Sequence, residues 1–498
     1  MQTWLMNELA RQSSTLDAVA QAELVRSGQV SPVELVEAAI SRVEALDDGP
    51  NGINAVIQRR FEKALSEAGD PGLPSGPFRG LPMILKDLWP ASAGDPMHLG
   101  NRAMKEAGYV HPEDSNITKL YRRAGMVIIG RSNTPEFGAV GTTEPLAYGP
   151  ARNPWNIKHS TGGSSGGAAG LVAAGMLPAA NASDGGGSIR IPAAACGLVG
   201  LKPSRGRVSM GPLQDEWGVS VQHVVSVTMR DTAALLDVSA VPFPGDALIA
   251  PAPLRRFADE IGAPVERLRI GLMARPIAGP IDPECEAAAI AAAKWLERNG
   301  HVVEVAQPEA LTWWAGEPAG MIIWSLNMRN AIARVSAYIG REVGPEDFEP
   351  STWGLGEMAD RYSGLDLLRA QAAQTKLRRD SAMWWHPTAD GGAGFDLLLS
   401  PTMAVQPPPL GQLLSTPADP MQPLRGSAPV ATFTGAWNAT GQPAISLPFA
   451  MSSTGLPIGV QLVAAYGRDD LLLRVGSAME ADIRWDLRRA PVHASTAA

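Results

Sequence analysis

Residues 160–206 read STGGSSGGAAGLVAAGMLPAANASDGGGSIRIPAAACGLVGLKPSRG, and this glycine-rich centre decides the fold. The spacing predicts a loop, a helix over about 166–176, a short strand, a glycine turn, and a helix or extended turn near 189–196. Nine of the chain's 52 glycines fall between 162 and 187, so glycine gathers where the backbone must turn tightly or approach a ligand. Outward from this centre, Leu81-Pro82-Met83-Ile84-Leu85-Lys86 reads as a buried strand ending on a lysine. Met126-Val127-Ile128-Ile129 reads as another, followed by the loop GRSNTPEFG. Ser31-Pro32-Val33-Glu34 supplies a cap, a first-turn proline and a capping box for an amphipathic helix over 31–46. Around 268–305 the pattern is strand, helix from Asp282-Pro283, a stop at Gly300, and strand. Further strands are expected from Phe395 to Ser400 and as a hairpin of Ala444–Phe449 with Ile458–Val463, followed by a helix from Asp469 to Met479. Strands alternating with helices throughout predict an α/β fold, a central mixed twisted sheet covered on both faces by helices.

The 498 residues carry 42 Lys+Arg against 50 Asp+Glu, a formal net charge of −8. That mild acidity leaves no electrostatic footprint for nucleic acid. With 45% hydrophobic and 18% charged residues the composition is globular. Cys196 and Cys285 stand far apart and point to a reducing compartment. The opening MQTWLMNELARQSS has no apolar signal core, and no long apolar run predicts a membrane span. The expectation is a cytoplasmic chain without nucleic acid or membrane partners; the sequence leaves a homodimer open. No linker divides it, so one domain is expected over 1–498. Residues 306–392 stand apart: a helical insertion holding Trp313, Trp314, Trp324, Trp353, Trp384 and Trp385, expected to lie over the substrate cleft.

Metal and nucleotide signatures are missing: there is no HExxH, no CxxC and no P-loop. The histidines sit in no recognisable triad, and His159 beside the glycine stretch reads as a surface residue. A nucleophile here needs a base other than histidine. Gly162-Gly163-Ser164-Ser165-Gly166-Gly167 alone is a tight turn with small polar residues. Further on comes Asp184-Gly185-Gly186-Gly187-Ser188-Ile189-Arg190. Consecutive amides in such a turn form a nest for an oxyanion, with Ser188 at its end placed as a nucleophile. Asp184 and Arg190 bracket the turn and are expected to brace it.

These motifs together resemble the amidase signature family of Ser–cis-Ser–Lys amide hydrolases. The family's strand-ending lysine is matched by ILKDLW, and its closing strands by GQPAISLPFAMSSTGLPIGVQLV. The similarity runs from about residue 16 to about 482. LDAVAQAELVRSGQVSP, TTEPLAYGPARNPWN and GVQLVAAYGRDDLLL are most similar to members acting on cyclic lactam dimers, anilides and urethanes. The resemblance implies Ser188 as nucleophile, Ser164 as the bridging serine after a cis peptide bond, and Lys86 as general base. It implies Gly185, Gly186, Gly187 and Ser188 as the oxyanion hole, with Phe137 and Gly138 lining the acyl pocket. Ser165 either orients Ser164 and substrate or caps the following helix. The family often carries a larger residue at this place; Gly185 here is expected to loosen the turn and widen the pocket, which leaves acyl selectivity open.

A lysine serves as base only when neutral, and burial after Met83-Ile84-Leu85 is the means to lower its pKa, provided that Asp87 points elsewhere. The expected activity is hydrolysis of small aryl or alkyl amides, anilides, lactam oligomers or carbamates through an acyl-enzyme, without metal or cofactor. The alternative is the glutaminase subunit of a tRNA-dependent amidotransferase, and the tryptophan-rich insertion argues against it. A catalytically dead binding protein would not need Lys86, Ser164 and Ser188 together.

Overall fold

The computed structural model describes residues 6, 8–214, 218–387 and 394–497. Among them the strands, in chain order, are β1 Val56–Arg59, β2 Pro82–Lys86, β3 Val127–Ser132, β4 Arg152–Asn153, β5 Asn156–Ser160, β6 Ala179–Asp184, β7 Val199–Lys202, β8 Val221–Ser226, β9 Arg269–Leu272, β10 Val302–Val305, β11 Leu397–Pro401, β12 Ala444–Met451 and β13 Pro457–Ala464. Eight of them build the main sheet in the order β10-β9-β11-β13-β12-β7-β8-β6. The β10, β9 and β11 end is parallel, and every pairing from β11 to β6 is antiparallel, so the sheet is mixed as expected. Alternation along the strands feeds two cores. Val224 faces one and Val225 the other, and helices cover both sides.

The sequence reading placed the Lys86 strand in this central sheet, and here the structure differs. β2 and β3 are parallel partners in a separate three-stranded sheet, β1-β3-β2. At its junction with β6 a side chain takes the place of a ladder bond: the Lys86 backbone N–H donates to Asn181 Oδ1 at 3.3 Å. A seam closed by side chains thus puts the end of β2 against the end of β6, where the glycine turn begins.

Local signals behave as their chemistry requires. Ser31 and Glu34 form the reciprocal capping box of helix Pro32–Leu46. Asp282 caps helix Pro283–Arg298 through the Glu284 amide. The helix after the serine loop, Gly166–Ala173, is buried along its whole length. Its glycines allow that depth, because a Cβ on Gly167 would lie 2.3 Å from the Asn133 backbone nitrogen. No helix of the described residues is long and apolar enough to cross a membrane.

The described part of the tryptophan-rich segment is helical, over Ala310–Trp314, Ala319–Ile339, Pro350–Met358 and Gly364–Met383; residues 388–393 lie outside the described residues. Its tryptophans divide into three groups. Trp324 and Trp353 pack with the core that contains Phe137. Trp384 and Trp385 pack at the end of the main sheet, with Trp384 stacked on Phe395 at 4.3 Å between ring centroids. Trp313 and Trp314 pack against Leu377 and Ala439.

Candidate active site

Lys86 ends β2 with its side chain fully buried. Its Nζ lies 2.7 Å from Ser164 Oγ and 3.0 Å from Ser183 Oγ, with the Ser183 carbonyl at 3.5 Å. Burial pushes its pKa down to about 7, against the opposing pull of the Asp184 carboxylate. Asp87 points elsewhere: its oxygens accept from the His98 and Gly100 amides at 2.9 and 3.0 Å. Burial raises the Asp87 carboxyl to about 6, with Arg131 opposing that rise.

The lysine therefore finds an arrangement suited to a base. A neutral amine has two N–H bonds and one lone pair. Ser183 offers two acceptors, its hydroxyl and its carbonyl, and Ser164 Oγ is the remaining close neighbour toward which the lone pair can turn. Ser183 escaped the sequence reading. Its signal is the period of two in β6: Asn181 and Ser183 share a face, and one takes the backbone of Lys86 while the other takes its side chain.

Ser164 follows a cis Gly163–Ser164 peptide bond. Gly138 presses against it. A Cβ at Gly138 would stand 2.9 Å from Ser164 Oγ and 2.6 Å from Leu88 Cδ2, and its φ of +66° also favours glycine. Phe137, itself at φ +51°, stacks toward Phe348 at 6.1 Å, and Phe348 reaches Trp353 at 5.8 Å. An aromatic line thus runs from the serine loop into the helical segment.

Ser165 does not take the helix-cap role, one of the two expected of it. It makes no side-chain cap bond to the helix that follows. It is fully buried, donates to the Ser183 carbonyl at 3.2 Å and accepts from the Ser183 amide at 3.3 Å. Its hydroxyl braces Ser183.

Asp184 and Arg190 brace the glycine turn as anticipated. Arg190 Nε and Nη2 each reach a different Asp184 oxygen at 2.9 Å, and both side chains are fully buried. Burial pushes the Asp184 carboxyl up, but Arg190, Lys202 and Asn438 together more than offset it and hold the group well below the usual carboxylate range. Asn438 donates to the Asp184 side chain and carbonyl at 2.9 Å each, and Gln461 accepts from Arg190 at 2.8 Å. These partners come from beyond residue 430 and carried no local signal.

One oxyanion assignment needs correction. The Gly187 N–H donates to Asp184 Oδ1 at 2.7 Å, so this amide faces the brace and not the cleft. Ile189 N–H is likewise taken by Asp184, at 3.1 Å. Gly185, Gly186 and Ser188 are half-buried, whereas Asp184, Gly187 and Ile189 are buried.

A buried lysine with a lowered pKa against Ser164 thus sits beside a mixed sheet between helical layers, and comparison with known proteins defines the class. The chain belongs to the amidase signature family: the family model described as Amidase matches residues 34–473. A 6-aminohexanoate-cyclic-dimer hydrolase of Pseudomonas sp. (strain NK87) is 42% identical over 95% of this chain and 96% of its own length. The solved structure of a 6-aminohexanoate cyclic dimer hydrolase complexed with substrate has a TM-score of 0.90, over 96% of this chain and 99% of that one. A bacterial aryl acylamidase of the amidase signature family has a TM-score of 0.86 at 27% identity, covering 97% of this chain and 99% of its own. The enzyme is an amidohydrolase acting on carbon–nitrogen bonds other than peptide bonds.

Proposed function

We propose that Ser188 is the nucleophile of this hydrolase, Ser164 its proton relay and Lys86 its general base, and that the substrates are small lactam oligomers, anilides, alkyl amides or carbamates. The observation that carries the reading is the 2.7 Å contact between Lys86 Nζ and Ser164 Oγ inside a site that lowers the lysine to about 7. Neutral Lys86 takes a proton from Ser164, which takes one from Ser188 as Ser188 attacks the carbonyl carbon. The oxyanion rests on the amides of Gly185, Gly186 and Ser188. The proton returns through Ser164 to the departing nitrogen, and water then hydrolyses the acyl-enzyme by the same relay. The protein works in the cytoplasm on this reading, and the helices bearing Trp324 and Trp353 form the wall of the cleft beyond Phe137.

The likeness to the cyclic-dimer hydrolases puts cyclic lactam dimers first among the substrates. A screen over a cyclic lactam dimer, an anilide, a linear aliphatic amide and an aryl carbamate tests this directly. The wild-type enzyme is expected to cleave at least the first two, and Ser188→Ala to lose at least about a thousandfold in kcat with its fold intact. Near-normal turnover by purified Ser188→Ala would sink the assignment.

A further inference from the structure

The turn 184–188 holds three glycines, and the fold demands only one of them. Gly187 has φ +138°, and a Cβ there would stand 2.4 Å from Thr434 Oγ1. Gly185 and Gly186 lie outside the left-handed region, so any residue could adopt their backbone. Among the described residues, a Cβ on Gly186 would meet nothing within 4 Å, and one on Gly185 would meet the Ser220 hydroxyl, at 3.0 Å. Opposite them, Gly435 opens helix Gly435–Thr440 with the same freedom. Among the described residues its Cβ would have a single neighbour, the Gly186 carbonyl oxygen at 4.0 Å. Gly185, Gly186, Ser188, Ser220 and Gly435 are all half-buried, and Gly435 faces Gly186 while Ser220 faces Gly185.

A glycine surrenders more chain entropy on folding than any other residue; at Gly186 and Gly435 neither a positive φ nor a close described neighbour repays it, and at Gly185 the one tight neighbour is the Ser220 hydroxyl, which can rotate away. The room they leave is adjacent to Ser188. We propose that Gly185, Gly186 and Gly435 form a slot walled by main chain at the nucleophile, and that it admits amides whose acyl carbon is bulky, ring-borne or branched. The inference rests on Ser188 as the attacking group. Main-chain walls bring the reacting carbonyl close to the turn amides while leaving width for the substituents on either side of it, and the Ser220 hydroxyl is the polar side chain at the rim.

Two 4-nitroanilides with the same leaving group, one acetyl and one cyclohexanecarbonyl, test the slot. Gly435→Leu fills it from outside the turn, and Gly185→Ala from within. Each is expected to lower kcat/KM for the cyclohexanecarbonyl substrate at least about tenfold relative to the acetyl substrate, as a pocket that loses room for a few methylenes does. Gly435→Ala, which suits a first helical turn, provides a milder variant if Gly435→Leu does not fold, with a smaller shift in the same direction. An unchanged ratio in folded variants overturns the slot and leaves the nucleophile assignment standing. Should a fluorophosphonate fail to label Ser188 in the wild-type protein, the nucleophile assignment falls and the slot with it.

Discussion

Replacing the buried lysine should make the protein more stable and inactive at once, and the size of that trade follows from the structure. Lys86 titrates near 10.5 when exposed and near 7 in place. Between those values the unfolded chain holds a proton that the folded chain does not, so folding is opposed below pH 7 and the opposition fades as pH rises. The cost is about 5 kcal/mol below pH 7, about 2 kcal/mol at pH 9, and negligible above about pH 11. Lys86→Met removes it. The same change strips partners from the Ser164 and Ser183 hydroxyls, which costs about 1–3 kcal/mol. The variant should therefore exceed the wild type by about 2–4 kcal/mol near pH 6.5, and the gap should close near pH 9. Urea unfolding of both proteins at the two pH values measures this, alongside loss of amide hydrolysis. A gap that stays constant with pH, or widens as pH rises, would refute the buried neutral lysine and with it the proposed base.

Two further outcomes follow from Ser183 and from the Asp184–Arg190 brace. Ser183→Ala removes one acceptor of the Lys86 ammonium, so the acid limb of kcat/KM should move to lower pH, with kcat down about tenfold or more and KM nearly unchanged; Ser183→Thr should restore both. A change confined to KM would contradict a positioning role. Arg190→Met leaves the Asp184 carboxylate buried without its cation and should destabilise the fold by about 3–5 kcal/mol in thermal or denaturant unfolding, whereas a loss within about 1 kcal/mol would show that Asn438 and the turn amides suffice.

Much of this architecture was legible because local chemistry determined it. Ser31 and Glu34, Asp282 and Pro283, and the apolar run before Lys86 each act on residues a few positions away. The Asp184–Arg190 brace was readable for the same reason. What escaped depended on distant segments. The sheet that holds Lys86 breaks from the main one because Asn181 substitutes for a ladder partner, and no window of sequence shows that. Gly187 looked equivalent to Gly185 and Gly186 in the string, yet its amide serves Asp184 and its Cα abuts Thr434. Ser165 was legible as a polar residue at a helix start, but its partner, Ser183, is set by the packing of that helix on β6. The tryptophans carried one compositional signal and serve three different contacts, which only the folded chain separates.

The seam between the two sheets has a mechanical consequence. Lys86 belongs to one sheet, while Ser188 follows the end of the neighbouring one through β6. Among the described residues no strand ladder fixes the offset between them; Asn181 and Ser183, on the strand that leads to Ser188, fasten the Lys86 end by hydrogen bonds, and packed side chains hold the rest. The gap across which protons must pass is therefore set at a joint and not inside a slab. Remote substitutions that let one sheet slide on the other would detune the chemistry while leaving each sheet intact.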